Sequence, residues 1–297
     1  MQNQKKLTGW LYAAFTISVW GSTFISSKKL LGIYSPAQIM LTRFLLAYCA
    51  LWLLRPRKLP LPRKQELGFL LLGLFGCSLY FYTENTALTY TLASNVSIIV
   101  AAAPILTAVL AHFARLERFR SGTLLGFLVA FAGVILVVCN GTFVLKLNPR
   151  GDLLALGAAA CWAVYSVLIR RLDDGLDPLL ITRRTLFWGI VTALPLVLLE
   201  GRPYQAEALL SPVIAGNFLF LGLIGSCLCY ILWNRAFYYL GVVTTNSFIY
   251  IQPFVTILAG WLFLKEPISP LALVGAALIT AGVVAAQRAP KTTGISG

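Results

Sequence analysis

Charge is what this chain has least of: Asp, Glu, Lys and Arg together make up 11% of 297 residues, against about 25% in an ordinary soluble domain. That leaves too little polar surface to cover a core of this size in water. With 59% of residues in the apolar set, lipid must be the solvent for much of the chain. Histidine occurs once, at His112, which excludes a multi-histidine metal site. The cysteines Cys49, Cys77, Cys139, Cys161, Cys227 and Cys229 all lie in apolar stretches and form no Cys-x-x-Cys pair. They read as small hydrophobes, and neither a disulfide framework nor a zinc site is suggested. No Gly-x-x-x-x-Gly-Lys-Ser/Thr string occurs, so the usual phosphate-cradling loop is missing. No cofactor, metal or catalytic residue set is expected.

The net charge is +14, but a nucleic-acid surface needs its bases clustered on one folded face. Here they lie mostly between apolar runs. Uncharged intervals cover 7–27, 67–83, 85–114, 121–145, 153–169, 208–234, 236–264 and 267–287, and most reach the roughly 17 to 25 residues that a helix needs to cross the hydrocarbon. Two more apolar stretches, 36–54 and 178–199, are interrupted by Arg43 and by Arg183 with Arg184. The expectation is an all-α polytopic membrane protein with ten transmembrane helices. The first span follows Lys5 and Lys6 as a signal peptide would, but it lacks a small-residue cleavage site and nine spans follow it, so it reads as a retained helix. With the N-terminus inside, the outer segments hold only Lys28, Lys29, Lys146, Arg150, Arg202 and Lys265, while the cytoplasmic segments hold fifteen bases. That satisfies the positive-inside rule. Both termini are expected in the cytoplasm, in a plasma (bacterial inner) membrane, and topology with anionic lipid accounts for much of the charge without nucleic acid.

The chain repeats itself. An offset of 149 residues superposes Gly76 on Gly225, Asn85 on Asn234, Ala87 on Ala236, Tyr90 on Tyr239, Pro104 on Pro253, Glu117 on Glu266, Gly126 on Gly275 and Gly133 on Gly282. Nearer the N-terminus the offset is 142, pairing Gly9 with Gly151, Trp20 with Trp162 and Pro36 with Pro178. The predicted organisation is a first five-span repeat over 1–140, a linker over 141–151 and a second repeat over 152–297. Five is odd, so the second copy must enter the membrane from the opposite face, which is the inverted-repeat architecture of secondary transporters. An old duplication without a transport role is the plainer alternative.

The string Trp20-Gly21-Ser22-Thr23-Phe24, Pro36 seven residues before Arg43, and Ala87-Leu88 leading through Ala93-Ser94 to Pro104, Glu117, Gly126 and Gly133-Val134 resemble the EamA-type family of the drug/metabolite transporter superfamily. The second copy repeats the latter part with Ala236, Pro253, Glu266, Gly275 and Gly282-Val283. The resemblance covers nearly the whole chain. It implies a ten-helix exporter of amino acids, drugs or related metabolites, with two inverted five-helix halves around a central cavity. In the second copy Ala163 follows Trp162 in place of glycine, and Arg183 and Arg184 lie five and six residues after Pro178. A role tied to Arg43 therefore does not transfer to the second half.

Glu84 is the one acidic residue within the apolar spans, about four residues from the predicted outer end of the third. It reads either as a carboxylate that couples transport to protons or as a rim group facing water. Arg43 lies seven residues into the second span, roughly 10 Å deep at 1.5 Å per residue. It either faces the cavity, meeting Glu84 or a substrate carboxylate, or snorkels to headgroups. Arg183 and Arg184 read as anchors of their span, and His112 as structural. Pro104 and Pro253 are candidate hinges in the middle of the fourth and ninth spans, where each removes an amide donor and kinks the helix. Around them Asn95, Ser97, Asn246, Ser247, Tyr250 and Gln252 supply polar groups for a cavity wall or for helix-to-helix hydrogen bonds.

Trp20 and Trp162 sit near the centres of their spans, away from the interfaces tryptophan prefers. With Tyr80, Tyr165, Trp188 and Tyr230 they are candidates for an aromatic wall that would stack planar solutes or attract organic cations, or they simply pack; Thr23 is a further candidate for the cavity. Glu117 and Glu266 precede Ser121 and Ser269, which read as N-caps of the fifth and tenth spans. Small-residue spacing at Gly122 and Gly126 and at Ala272 and Ala276 suits close packing or a homodimer, and a monomer is equally compatible. The expected function is secondary export of small amphipathic metabolites, with protons and membrane lipid as the other partners. The alternative is an integral-membrane enzyme acting on a lipid-linked substrate, for which the only acidic cluster, Asp173, Asp174 and Asp177, lacks DDxxD spacing.

Overall fold

The computed structural model describes residues 2–56, 62–91, 93–116, 121–139, 148–172, 176–264 and 270–288, with only the backbone described at some positions within the helices. Glu117, Glu266, Ser269 and most of the expected linker lie outside the described residues, as do the side chains of Asn95 and Ser121. Every regular element among the described residues is helical, as lipid demands of a backbone that must satisfy its own amides and carbonyls. Helix α1 is Gln2–Leu30, α2 Pro36–Leu54, α3 Arg63–Tyr90, α4 Ala93–Val100, α5 Ala103–Phe113 and α6 Ser121–Cys139. The second half comprises α7 Pro149–Leu172, α8 Pro178–Glu200, α9 Pro212–Leu240, the short α10 Val242–Asn246, α11 Gln252–Leu264 and α12 Pro270–Arg288.

Five of these, α2, α3, α7, α8 and α9, are long and apolar enough by themselves to cross a bilayer. The fourth expected span is broken between α4 and α5, and the ninth passes through a 3-10 segment, Ser247–Ile251, between α10 and α11. The kink expected at Pro104 takes a different form: the chain leaves the helix at Ala101 and Ala102, and Pro104 occupies the first turn of α5. A proline there gives up an amide that has no helical partner anyway. Pro253 is likewise the second residue of α11.

Two helices start from similar signals. Ser35 opens α2 with a reciprocal capping box, its hydroxyl accepting from the Gln38 amide at 3.2 Å while its own amide donates to Gln38 Oε1 at 3.1 Å. Asp177 caps α8 by accepting from the Leu179 amide at 3.0 Å, and Pro36 and Pro178 fix the first turns. Gly201, left-handed at φ +58°, terminates α8.

Helices α3 and α9 each contain a π-helical segment, Leu74–Leu79 and Phe220–Leu228. A π turn slackens the hydrogen-bond ladder and leaves a carbonyl available to an outside donor. Both segments use this: Tyr230 Oη donates to Gly76 O at 2.5 Å and Trp20 Nε1 to Gly225 O at 2.9 Å.

The halves interlock through close glycine contacts. A methyl group on Gly126 of α6 would lie 2.4 Å from the Ala286 amide nitrogen and 2.7 Å from Gly282 O, and one on Gly133 would lie 2.6 Å from Gly275 O. At the other side of the bundle Gly9 packs on Tyr239 and Leu240, while Gly151 packs on Tyr90 and Thr91.

Candidate functional site

At the centre six rings close around one another. The Trp20 and Trp162 centroids are 5.2 Å apart and perpendicular, Trp20 lies 5.0 Å from Trp233, Tyr80 lies 5.2 Å from Trp162, and Tyr165 5.1 Å from Trp162. Tyr230 completes the group, 5.7 Å from Trp20. All the polar handles but that of Trp233 are tied down; Trp162 Nε1 donates to Asn246 Oδ1 at 2.8 Å, and Tyr165 Oη to Asn234 Oδ1 at 3.0 Å. Among these rings a small hollow is lined by Trp20, Thr23, Tyr80, Phe81, Glu84, Trp162 and Gln252. Its free space, about 10 Å³ for the centre of a water-sized sphere, suffices for about one water. Four helices from both halves, α1, α3, α7 and α11, meet there.

Glu84 is 7% exposed and accepts a hydrogen bond from Tyr80 Oη at 3.1 Å. It is therefore a buried carboxylate on the hollow and not a rim group. Arg43 is 1% exposed, so it does not snorkel. Its Nε donates to Ser226 Oγ at 2.8 Å, and its guanidinium carbon stands 4.2 Å above the Phe81 ring. Nη2 is buried without a hydrogen-bond partner. Among the described residues no carboxylate lies within ion-pair distance of Arg43, so the direct meeting with Glu84 is not seen. Arg43 stands one ring behind the hollow, across Phe81, which lines it.

Several expected site residues lie elsewhere. Trp188 is half-buried and donates to Glu66 Oε2 at 2.8 Å, beside the Arg184–Glu66 ion pair. Tyr250 is buried in a separate cluster, 5.6 Å from the Phe127 ring, with its hydroxyl unpartnered. Arg183 donates to Arg55 O and Arg184 pairs with Glu66, so both tie α8 to its neighbours. His112 is exposed. Sequence reasoning missed Trp233, Ser226 and Phe81. The 149-residue offset sets Trp233 against Glu84 and Ser226 against Cys77, so no symmetry flagged them.

At the end bearing Arg55, an Arg55–Asp177 ion pair joins α2 to α8, and a cavity of about 420 Å³ opens among the termini of α7, α8 and α9, with Arg170, Asp177, Asn234, Arg235, Phe237 and Tyr238 in its wall. At the opposite end Lys28 Nζ donates to Leu88 O at 2.5 Å and Thr91 O at 3.2 Å, and Asn85 Nδ2 reaches Pro36 O at 3.4 Å.

The model of the EamA-like transporter family matches twice, over residues 7–139 and 149–286. An "uncharacterized transporter", YyaM of Bacillus subtilis (strain 168), is 29% identical over 91% of this chain and 92% of its own length. A "probable terminal-alkyne amino-acid exporter" of Streptantibioticus cattleyicolor is 27% identical over 92% of this chain and 91% of its own. One protein of known crystal structure superposes with a TM-score of 0.73 at 21% identity, covering 96% of this chain and 97% of the other, which supports the fold.

Proposed function

Because the chain belongs to the EamA-like transporter family, in which the named relatives are transporters and not enzymes, we propose that it is a secondary active exporter working by alternating access. It moves small amphipathic metabolites, amino acids or drugs among them, through the hollow between Trp20, Glu84 and Trp162. The amino-acid exporter among its relatives supports that substrate range.

In this reading ten spans form two inverted halves, 1–140 and 152–297, joined by 141–151. The glycine contacts support the inversion. Helices α6 and α12 are antiparallel, since Gly126 meets Gly282 and Gly133 meets Gly275. Under the repeat offset Gly126 becomes Gly275 and Gly133 becomes Gly282, so each contact maps onto the other. Contacts that exchange in this way belong to a two-fold axis, and an axis that makes equivalent helices antiparallel runs across them, in the membrane plane. Gly9 on Tyr239 and Gly151 on Tyr90 exchange in the same manner. The base-rich Arg55 end is cytoplasmic and carries both termini, and the membrane is the plasma membrane.

The observation that carries the reading is Arg43: a guanidinium buried at the centre of an apolar bundle, with no carboxylate in ion-pair contact among the described residues and with one unpartnered nitrogen. Such a charge is costly in a membrane protein unless something pairs with it during the working cycle. The Trp233 indole nitrogen is a second buried donor without a partner. Together they favour a solute that brings acceptors, a carboxylate above all. Glu84, hydrogen-bonded on the hollow, is the group that exchanges protons with the outside. Purified protein in liposomes, screened with amino acids, aromatic carboxylates and organic cations with and without a pH gradient, tests this. Flux of carboxylate-bearing solutes stimulated by the gradient is expected, and no flux of any class would overturn it.

A further inference from the structure

We infer that the groove between α3 and α7, at the Tyr90 end of the bundle, binds an anionic phospholipid, with one acyl chain laid along the groove and the phosphate held by Arg150. The inference needs the chain to sit in a bilayer and does not rest on the transport reading.

Gly68 packs on Leu172, Gly76 on Tyr165 and Gly151 on Tyr90, so α3 and α7 run antiparallel side by side. Each turns one helical face to the groove. From α3 come Thr83, Thr86 and Tyr90, and from α7 come Arg150, Leu153, Leu154 and Gly157. The space between them is about 370 Å³, and the exposed Tyr90 and Leu153 leave it open to the side. From Arg150 to Gly157 it follows seven residues, about 10 Å at 1.5 Å per residue, or roughly two-thirds of the ~15 Å depth of one leaflet. Its floor is the missing side chain of Gly157, where nothing lies within 4 Å of the position a methyl would take. Its walls are apolar in effect. Thr83 and Thr86 donate their hydroxyls to Leu79 O at 2.7 Å and Tyr82 O at 2.6 Å, so both are satisfied within their own helix. That is a surface for hydrocarbon.

The mouth carries the charge. Arg150 is exposed, and among the described residues no carboxylate lies within ion-pair distance of it. The nearest acid in sequence, Asp152, is two positions on and so roughly 200° around the helix. It is not part of the groove, and its Oδ2 accepts from the Asn148 amide at 3.1 Å. The guanidinium therefore stands free at the end of the helix, at the depth where the ring of Tyr90 also belongs, and its planar fork matches a phosphate. The repeat gives an independent argument. The offset of 142 sets Thr8 against Arg150 and Phe15 against Gly157. In the first half a hydroxyl replaces the cation and a phenyl ring replaces the open floor, so the two departures from the repeat are the two features that a charged lipid needs. A free anion would use only the first of them, and an uncharged chain only the second.

The test uses full-length protein in phosphatidylcholine nanodiscs containing a phosphatidylglycerol that carries a photoreactive diazirine in one acyl chain. After illumination, peptide mapping should find the label concentrated on 83–90 and 150–157, and unlabelled phosphatidylglycerol should compete it away several-fold better than added phosphatidylcholine. Arg150→Gln, at an exposed position, should raise the mole fraction of phosphatidylglycerol needed for half-labelling by about tenfold, the effect of losing one charged hydrogen bond. Gly157→Leu fills the floor without meeting a neighbour and exchanges glycine for a better helix former, so it should fold and lower labelling several-fold. Label spread evenly over the exposed helix faces, or labelling unchanged in both variants, overturns the inference. So does competition by glycerol 3-phosphate in the buffer, which would mean that the guanidinium alone holds an anion and that the groove has no part in it. Labelling is read without flux, so its failure leaves the transport reading standing, and a chain that moves no solute can still give the labelling expected here.

Discussion

Gly126 lies so close to Gly282 that a methyl group on either would fall within 2.7 Å of the other's carbonyl oxygen. Helices α6 and α12 approach closely because neither has a side chain there, the small-residue packing that holds helices together where lipid supplies no hydrophobic drive. Gly126→Leu or Gly282→Leu should force the pair apart and destabilise the protein by about 1 to 3 kcal/mol, the usual penalty of overpacking. Gly157, with nothing within 4 Å of the position a methyl would take, is the control, and Gly157→Ala should be neutral or slightly stabilising. Thermal unfolding in detergent reads the difference. Equal melting temperatures for Gly126→Leu and Gly157→Ala would refute the close packing.

Arg43 separates function from stability. Lysine is a point charge without the guanidinium fork, so it cannot hold Ser226 and stand over Phe81 while presenting a free nitrogen. Arg43→Lys should lower carboxylate flux by about tenfold or more. Arg43→Met removes a buried charge that makes no ion pair, and should be neutral or stabilising by up to about 2 kcal/mol while abolishing carboxylate flux. A structural arginine would give the reverse, loss of stability in Arg43→Met with full flux in whatever folds.

How much of this was legible beforehand depended on what the repeat could transmit. Trp20 and Trp162 are symmetry mates and read as central, and they meet edge to face. Trp233 was invisible because its mate is Glu84, and a tryptophan in an apolar helix does not disclose which way it faces. Trp188 was misassigned for the same reason: it turns to Glu66, a residue 122 positions away in sequence. Proline signalled the breaks in the fourth and ninth spans but not their place, because whether it kinks a helix or opens one depends on the turn before it. The burial of Arg43 without a carboxylate in ion-pair contact among the described residues follows from tertiary packing and has no local sequence signal.

Glu84→Gln keeps the shape of the hollow and can still accept from Tyr80 Oη, the bond that holds the carboxylate at 3.1 Å. What it removes is the exchangeable proton. Solute exchange at equal pH on both sides should persist, and stimulation by a pH gradient should vanish. Tyr80→Phe removes one neutral donor from the carboxylate and should retain coupling while shifting its pH dependence. Gradient stimulation that survives Glu84→Gln would remove the coupling assignment.

Lys28 donates at one end of the bundle to the carbonyls of Leu88 and Thr91, at 2.5 and 3.2 Å. A cation on the last carbonyls of a helix contributes about 0.3 to 1 kcal/mol at a partly exposed site, so Lys28→Met should change global stability little. Under the alternating-access proposal its effect falls on the balance between states, because opening this end would break the bond. Removing that much bias should raise the open population by roughly two- to fivefold. Asn85→Cys reports it: Asn85 is fully buried and reaches Pro36 O in the closed arrangement, and becomes accessible only when the corner opens. Labelling of that cysteine by an impermeant reagent should rise by the same factor in Lys28→Met and stay near the parent value in Lys28→Arg, which retains a donor for both carbonyls. Labelling that ignores both substitutions would mean that the ammonium is an ornament of the helix end and that the corner is held by packing alone.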